Sequence, residues 1–339
     1  MSAELGIGLI GAGRIGTSHA RLLAERVTGA RLVAVADPRP GAAAVITDAQ
    51  GGMPYQSPAD LVADPHVDAV LIAASSVVHA ELVELATGAG KPVFCEKPMG
   101  MNLSEVDRGI TAAERAGVAL QVGFNRRFDR GFLAAHDAVV SGAVGEVQLL
   151  RSLTRDPGLA DPGSVPPWTI FTQTLIHDFD VLNWLNPGAD PVEVYATADA
   201  LVAPDFKDSG LLDTAVVLIT YSNGARAVAE ASFSAAYGYD VRGEVFGSGG
   251  MVTVGDGARS SARLFTATGG GFDTARSDTE LMIDSYVDEF AAFVAAVRDG
   301  RPPSVSGVDA RRALAVAMAG IESVTTHAPA TVASPVAAR

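Results

Sequence analysis

The sequence predicts an α/β fold in two domains, a parallel sheet wound with helices and then an α+β domain built on a large, mostly antiparallel open sheet. Up to residue 123, short apolar runs alternate with helical patterns, as they do in β-α-β units. From residue 124 onward, strand-like runs follow one another with few helices between them. The 339 residues suffice for two domains, which we place at 1–123 and 124–339.

A glycine turn near the N-terminus organises the first domain. An apolar strand-like run leads into Gly11-Ala12-Gly13-Arg14-Ile15-Gly16, a helical pattern follows, and residues 32–37 return as a second strand. Glycines placed between a strand and a helix bring free N–H groups at the helix N-terminus to a pyrophosphate. We therefore predict a dinucleotide-binding Rossmann domain, with a tight turn that binds no ligand as the alternative. The predicted contacts in this turn are Gly11, Gly13, Arg14, Ile15 and Gly16.

Asp37 ends the second strand, 21 residues after Gly16. A carboxylate at this place accepts both ribose hydroxyls of the adenosine half and repels a 2′-phosphate, which predicts NAD as the cofactor. Arg39 lies two residues further on and can pair with such a phosphate. The sequence leaves the direction of Arg39 open.

The next strands of the first domain end in polar residues, and helical patterns at 41–50, 80–89 and 103–116 connect the strands. Ser75, Ser76 and His79 follow the buried strand at 68–73. Because ligands of doubly wound sheets bind at the carboxyl ends of the strands, we expect these three residues to contact the cofactor. For His79, simple entry into the next helix is an equal alternative.

The strand at 92–95 leads directly into Glu96-Lys97-Pro98. A lysine at this edge projects toward the nicotinamide end of a dinucleotide stretched across the sheet, so Glu96 and Lys97 are predicted cofactor contacts. A solvated loop lysine is the alternative.

The second domain is predicted from strands at 147–153, 192–200, 215–221, 225–233, 239–246 and 251–254. Ser222-Asn223-Gly224 is a hairpin turn between two of them, which indicates an antiparallel or mixed sheet. Residues 216–219 are apolar on both pleat faces, so we expect helices to cover one face and a partner subunit the other. This predicts a homo-oligomer, a dimer or tetramer, that forms through the C-terminal sheet. Two amphipathic helices at 286–297 and 309–324 and a weakly patterned tail at 328–339 complete the domain.

Residues 171–185 form a second stretch whose polar side chains could take part in catalysis or binding. On a helix, Gln173, His177 and Asp180 lie at i, i+4 and i+7 and make one polar stripe. A histidine satisfied in the core by Asp180 is the structural alternative, and spacing alone favours it. Two alternatives also exist for Arg127, which can contact a polar ligand or form a structural ion pair with Asp129.

Composition excludes several classes of partner. Acidic residues number 39 against 25 basic ones, and the resulting net charge of −14 argues against nucleic acid and against anionic membrane surfaces. Cys95 is the single cysteine, and Met1 leads into the first strand without a leader segment, so we expect a cytoplasmic protein. No apolar run is long enough to cross a bilayer, and we predict no metal site.

The chain resembles the glucose-fructose oxidoreductase / inositol dehydrogenase / rhizopine-catabolism superfamily over nearly its whole length, and most of all its bacterial inositol dehydrogenase branch. Besides the glycine turn, the motifs that carry the resemblance are Glu96-Lys97-Pro98, the run 123–129, Arg155-Asp156-Pro157, Ile176-His177-Asp178-Phe179-Asp180, Tyr237-Gly238-Tyr239-Asp240 and the run 244–251. The combination of Glu-Lys-Pro with His-Asp-x-Asp is highly specific for the superfamily.

The resemblance implies that Lys97 and His177 carry catalysis. The histidine takes the proton of the substrate hydroxyl, the lysine ammonium steadies the alkoxide, and hydride passes to the nicotinamide. Asp180 orients the imidazole or binds a second hydroxyl. The same resemblance implies a substrate pocket that contains Lys97, Arg127, Gln173, His177, Asp180 and Tyr239.

One departure from the family pattern concerns Gln173, where inositol dehydrogenases usually have Asp. An amide forms hydrogen bonds but neither holds negative charge nor relays a proton. Either His177 and Asp180 act alone while Gln173 reads a hydroxyl of a different polyol or sugar, or dehydrogenase activity is lost. We expect an NAD-dependent dehydrogenase that oxidises a ring hydroxyl of a cyclitol, inositol first. The alternatives are a pyranose such as glucose, galactose or levoglucosan, and a non-catalytic NAD-binding sensor or regulator.

Overall fold

The computed structural model describes residues 4–159 and 161–334. The strands are β1 (Leu5–Ile10), β2 (Ala30–Ala36), β3 (Met53–Tyr55), β4 (Ala69–Ile72), β5 (Val93–Glu96), β6 (Leu120–Gly123), β7 (Val147–Arg155), β8 (Pro191–Asp199), β9 (Thr214–Tyr221), β10 (Arg226–Ser232), β11 (Asp240–Gly247), β12 (Gly250–Val254), β13 (Leu264–Thr266), β14 (Gly269–Gly271) and β15 (Ala330–Thr331). The α-helices are α1 (Arg14–Glu25), α2 (Ala42–Gln50), α3 (Pro58–Ala63), α4 (His79–Gly88), α5 (Leu103–Ala116), α6 (Arg130–Val140), α7 (Leu175–Trp184), α8 (Asp278–Leu281), α9 (Ile283–Asp299) and α10 (Gly307–Thr326).

The first compact unit comprises Met1–Phe128 and Asp284–Arg311. Its sheet has six parallel strands in the order β3-β2-β1-β4-β5-β6, with β1 at the centre. This is the strand order of a dinucleotide-binding sheet, so the predicted Rossmann domain is confirmed. Strands β4 and β5 are buried throughout, because helices cover both faces of the sheet.

Most of helix α9 belongs to this first unit, and the division therefore differs from the predicted limits of 1–123 and 124–339. The physical reason is an aromatic cluster. The ring of Phe290 lies 5.0 Å from the ring of Phe94 on β5, and Phe293 lies 5.9 Å from the same ring. The apolar face of α9 thus completes the core of a sheet that is distant from it in sequence.

The second unit comprises Asp129–Ile283 and Arg312–Arg339. Its sheet has seven strands in the order β12-β11-β7-β10-β9-β8-β15. Only the pairing of β7 with β10 is parallel, and the others are antiparallel. The predicted mostly antiparallel open sheet is confirmed.

One face of this sheet is buried and the opposite face is exposed. Along β9, Val217 and Ile219 are buried, whereas Val216 and Leu218 are 39% and 50% exposed. The apolar residues at 216–219 therefore divide between an internal face of the sheet and an outer face that is apolar but exposed.

Two features of the second unit differ from the sequence expectations. The stretch 171–185 is not one regular helix, because Ile170–Thr174 forms a π-helical turn before α7 begins. Helix α6 was not predicted, although Asp129 marks its start by accepting hydrogen bonds from the N–H groups of Gly131 and Phe132.

The tail predicted at 328–339 is described through residue 334 only, and there β15 pairs with the edge strand β8. The part of that tail at 335–339 and the chain start at 1–3 lie outside the described residues.

Across the described ranges, no helix combines the length and the apolar character that crossing a membrane requires.

Candidate functional site

The glycine turn between β1 and α1 has the geometry of a phosphate cradle. Gly11 adopts a φ of 106°, and a Cβ there would lie 2.5 Å from the carbonyl oxygen of Ala73, which directly follows the neighbouring strand β4. A Cβ on Gly16 would collide with the carbonyl oxygen of Gly11. In contrast, a Cβ on Gly13 would meet nothing within 4 Å, so the backbone at the N-terminus of α1 faces open space. The N-terminus of α1 is therefore accessible to an anion.

A cavity of about 760 Å³ opens beside this turn at the carboxyl edge of the first sheet. The predicted cofactor contacts that line it are Gly11, Gly13, Arg14, Ile15, Asp37 and Ser75. Apolar side chains such as Val78 and Leu82 form another part of its wall. A cavity with an apolar wall, a glycine turn and the carboxylate of Asp37 fits the adenosine and pyrophosphate part of a dinucleotide.

Asp37 is buried at one end of this cavity and holds four hydrogen bonds. Its Oδ1 accepts from the backbone N–H of Arg39 at 2.9 Å and from Arg39 Nε at 2.9 Å. Its Oδ2 accepts from the N–H of Ala12 at 2.8 Å and from Arg39 Nη2 at 2.9 Å. The hydrogen bond from Arg39 lowers the pKa of Asp37 to about 2 against the opposing effect of burial, so this carboxylate is ionised at neutral pH. The guanidinium of Arg39, which the sequence left undirected, thus turns onto Asp37.

The remaining predicted cofactor contacts lie further along the same sheet edge. Ser76 begins a short 3₁₀ turn after β4, and His79 begins α4. Glu96 ends β5, and Lys97 follows it in a half-buried turn with a cis peptide bond to Pro98.

Glu96 is buried, and its carboxylate makes contacts within the first unit. Oε1 lies 2.6 Å from Nε2 of His19 on α1, and Oε2 accepts a hydrogen bond from the backbone N–H of Lys97 at 3.2 Å. Burial favours the protonated acid, but the hydrogen bond from His19 and the charges of His19 and Lys97 outweigh burial and lower the pKa of Glu96. Glu96 is therefore a charged group inside the protein.

His79 is 1% exposed and links two loops of the same edge. Its Nδ1 lies 2.8 Å from the carbonyl oxygen of Pro98, and its Nε2 lies 3.0 Å from that of Ala74. Burial lowers the pKa of His79 although both carbonyls and the charge of Glu96 favour the protonated ring. A neutral imidazole donates only one hydrogen bond, so it satisfies one of the two carbonyls at a time.

Arg127 is buried and pairs with Asp309, whose Oδ1 lies 3.0 Å from Arg127 Nη2. Asp129, which the sequence offers as an ion-pair partner of Arg127, caps α6. Burial works to raise the pKa of Asp309, and the charge of Arg127 with hydrogen bonds from Ser306 and Arg127 outweighs it and lowers that pKa.

The second unit carries the other predicted residues, Gln173, His177, Asp180 and Tyr239. Gln173 lies in the π-helical turn, while His177 and Asp180 lie three residues apart on α7. A π-turn widens the backbone locally, and such turns are frequent at functional sites. His177 is half-buried, as is Gln173, whereas Asp180 is 1% exposed. Tyr239 precedes β11, and its N–H donates to the carbonyl of Ala275 at 2.7 Å.

Asp178, which sequence reasoning left without a role, fixes the rotation of α7. Its two carboxylate oxygens accept hydrogen bonds from the hydroxyls of Ser152 at 2.5 Å and Thr154 at 2.8 Å, both on β7. All three residues are fully buried. Because Asp178 is tied to the sheet, its neighbour His177 is held on a different side of the helix.

Sequence reasoning also missed His19 and Asp309. His19 lies three residues after Gly16 on the buried face of α1, a position typical of a core residue, and only the fold brings it to Glu96. Asp309 is 182 residues from Arg127, so no local pattern signals the pair.

Comparison with known proteins matches both units to one family. Residues 5–124 match a family model described as an oxidoreductase family with an NAD-binding Rossmann fold, GFO_IDH_MocA. Residues 132–253 match the model of the GFO/IDH/MocA C-terminal domain.

Similar proteins cover 94% or more of the chain. Myo-inositol 2-dehydrogenase of Thermotoga maritima is 39% identical over 328 residues, which cover 94% of this chain and 96% of the relative. Inositol 2-dehydrogenase of Rhizobium meliloti is 37% identical and covers 94% and 96%. The crystal structure of scyllo-inositol dehydrogenase from Lactobacillus casei with bound NAD(H) and scyllo-inositol is 27% identical, with a TM-score of 0.93 and coverage of 98% and 100%.

Proposed function

The chain belongs to the Gfo/Idh/MocA family of NAD-dependent oxidoreductases, and from this premise we propose that it oxidises a ring secondary hydroxyl of inositol to a ketone. The observation that carries the proposal is the coexistence, in one chain, of the dinucleotide cavity, Lys97 after β5 and His177 on α7. Relatives named as myo-inositol and scyllo-inositol dehydrogenases support the cyclitol substrate.

The residues of the first unit suit NAD as the resident cofactor. The turn Gly11–Gly16 would bind the pyrophosphate and Asp37 the adenosine ribose. Ser75, Ser76, His79, Lys97 and the backbone of Glu96 would line the path of the dinucleotide along the rest of the sheet edge. When bound, NAD supplies the acceptor for the hydride that leaves the ring carbon.

Lys97 and His177 take complementary roles at the substrate hydroxyl. The imidazole of His177 accepts the hydroxyl proton, because a base whose pKa is near neutrality suits this task. The ammonium of Lys97 stabilises the negative charge that develops on the oxygen. Asp180 orients the imidazole or binds a second hydroxyl.

Gln173 is proposed as a specificity residue together with Arg127 and Tyr239. An amide both donates and accepts hydrogen bonds, so it reads a hydroxyl without taking part in proton transfer. The amide of Gln173, which cannot hold negative charge, supports a second candidate, a dehydrogenase for a related polyol or pyranose whose hydroxyls it would recognise.

A substrate panel tests these proposals. The purified protein would be incubated with NAD and myo-inositol, scyllo-inositol, glucose, galactose or levoglucosan, and NADH formation would be followed by absorbance. We expect the highest kcat/KM with an inositol. Preference for a pyranose would favour the second candidate, and binding of NAD without turnover on any compound would favour a sensor.

We further propose that a second copy of the chain covers the outer face of the second sheet, giving a dimer or tetramer. A groove of about 470 Å³ runs over this face. Its lining combines apolar and oppositely charged side chains, which suits contact with an identical surface: Leu149, Tyr195, Leu218, Val228, Arg151, Arg226, Glu193 and Glu244. Leu218→Asp should produce monomers in light scattering, whereas Val45→Asp, at an exposed position on α2, should not. A monomeric parent protein would refute this assembly.

The buried free thiol of Cys95 is compatible with a cytoplasmic protein, which we propose as the location.

A further inference from the structure

A buried pair, the carboxylate of Glu96 and the imidazole of His19, lies directly behind the proposed oxyanion-stabilising lysine. Glu96 precedes Lys97, and its carboxylate lies between Nε2 of His19 at 2.6 Å and the backbone N–H of Lys97 at 3.2 Å. The side chain of His19 is 0% exposed and that of Glu96 is 10% exposed. The carboxylate therefore joins α1 to the turn that carries Lys97.

The surroundings of Glu96 restrict its movement. Gly123 on the adjacent strand β6 leaves the space that the carboxylate fills, since a Cβ there would lie 3.1 Å from Oε2. His19 packs against the rings of Tyr286 and Phe290, at centroid distances of 5.4 Å and 4.8 Å. Within residues 4–159 and 161–334, the second ring nitrogen of His19 has no hydrogen-bond partner. The imidazole is thus held by aromatic packing and by its contact with Glu96.

Stability alone does not account for a buried charged group here. A carboxylate removed from water destabilises the fold until its partners compensate, and apolar residues of similar volume often serve the fold as well. The pair instead fixes the conformation of one backbone N–H, that of Lys97.

The other side of the same turn is held by His79, which contacts the carbonyl of Pro98 at 2.8 Å. The turn is therefore anchored on both sides of Lys97, by Glu96 before it and by Pro98 after it. A lysine side chain has four rotatable bonds and a high rotamer entropy, so a fixed backbone origin reduces the volume that its ammonium samples.

We propose that the side chains of Glu96 and His19 form a positioning pair that holds the Lys97 turn in the orientation needed for turnover, without themselves touching cofactor or substrate. The proposal rests on the proposed function of Lys97 at the reacting oxygen. It assigns the Glu96 side chain to Lys97 rather than to the dinucleotide.

The lysine content of the chain allows a direct test in the protein without cofactor. Lys91, Lys97 and Lys207 are its lysines, so reductive methylation with ¹³C-formaldehyde gives few lysine signals in NMR spectra. The signal that disappears in Lys97→Arg identifies Lys97. Its shift and line width report the environment of the ammonium independently of turnover.

The variants are Glu96→Gln, which removes the charge at constant shape, His19→Gln, which keeps a donor toward Glu96, and His19→Leu, which removes it. Asp64→Asn is the control, because Asp64 is another buried carboxylate of the first unit that accepts hydrogen bonds from Tyr55 and His66. It lies in the loop that enters β4, at the opposite edge of the sheet.

We expect Glu96→Gln and His19→Leu to lower kcat about ten- to a hundredfold, the loss typical of a misplaced catalytic group, with the Kd of NAD changed less than about threefold. The Lys97 signal should shift or broaden while those of Lys91 and Lys207 stay in place. His19→Gln should recover most of kcat, and Asp64→Asn should lower only Tm.

Parental kcat and an unchanged Lys97 signal in Glu96→Gln would overturn the proposal. So would a loss expressed in the Kd of NAD alone, because Glu96 would then act on the cofactor. If Glu96→Gln fails to fold, the comparison of His19→Gln with His19→Leu decides. A parent protein without turnover refutes the proposed function, and the NMR signals still decide whether Glu96 and His19 position Lys97.

Discussion

Replacement of Asp37 by Ala tests how the chain chooses between NAD and NADP. A carboxylate offers about four acceptor positions, and in Asp37 all four are occupied by N–H groups of Ala12 and Arg39. The ribose hydroxyls of NAD must therefore take the place of the Arg39 guanidinium, whose side chain is 64% exposed and free to turn outward. NAD selectivity then depends on an exchange of hydrogen bonds at one carboxylate.

The size of the effect follows from the bonds exchanged. Hydrogen bonds to charged groups contribute about 1.5–3 kcal/mol, so Asp37→Ala should weaken NAD binding about ten- to a hundredfold. The same change removes repulsion of a 2′-phosphate and releases the guanidinium to pair with it, so NADP binding should strengthen. The Kd of NADP divided by the Kd of NAD, both measured by calorimetric titration, should fall by at least about a hundredfold.

Arg39→Ala is the matched control, because it removes the competing guanidinium and leaves Asp37 with its backbone donors. Exposed ion pairs contribute little, so NAD should bind equally well or up to about fivefold more tightly, and NADP should bind more weakly. An unchanged ratio of Kd values in Asp37→Ala would refute this reasoning. A large loss of NAD affinity in Arg39→Ala would show that the guanidinium, not the carboxylate, holds the ribose.

Three further results are expected. Lys97→Ala should keep the Kd of NAD and lose about 10² to 10³ in kcat, and turnover within a few-fold of the parent would leave Lys97 as a cofactor contact only. His177→Ala should abolish turnover of every substrate, whereas Gln173→Ala should reorder substrates without moving the pH profile of kcat; equal loss on all substrates in Gln173→Ala would contradict its specificity role. Burial lowers the pKa of His79 from its ordinary 6.5, so the unfolded chain gains a proton there as pH falls below 6.5 while the folded chain resists it. The free energy of unfolding should therefore fall by up to about 1.4 kcal/mol per pH unit just below that value, and thermal melts of His79→Gln should show a smaller dependence.

The sequence predicts those parts of the structure that depend on local pattern. The glycine turn, the acidic end of β2 and the polar residues after β4 and β5 are all local signals, and the Rossmann sheet forms from them. The hairpin at Ser222-Asn223-Gly224 likewise joins β9 to β10 in the expected antiparallel pair.

Pairs distant in sequence explain what local patterns did not predict. The packing of Phe290 on Phe94 places α9 in the first unit, although these residues are nearly two hundred positions apart, as their numbers show. Arg127 pairs with Asp309, which is 182 residues away, while its neighbour Asp129 caps α6. The π-turn at Ile170–Thr174 is a deviation from helical hydrogen bonding within a sequence of ordinary helical periodicity. Sequence periodicity places Gln173 and His177 on one stripe, but it does not indicate where the helix widens.

The most direct test of the proposed oxidation uses myo-inositol carrying deuterium on carbon 2, the position in the names of the relatives. The protein would be incubated with this substrate and NAD, the reduced cofactor would be isolated, and its mass would be measured by mass spectrometry. We expect one deuterium per reduced nicotinamide and a slower rate than with unlabelled substrate. Reduced cofactor without deuterium would contradict oxidation at that carbon, and the absence of any reduced cofactor would contradict the proposed dehydrogenase activity toward myo-inositol.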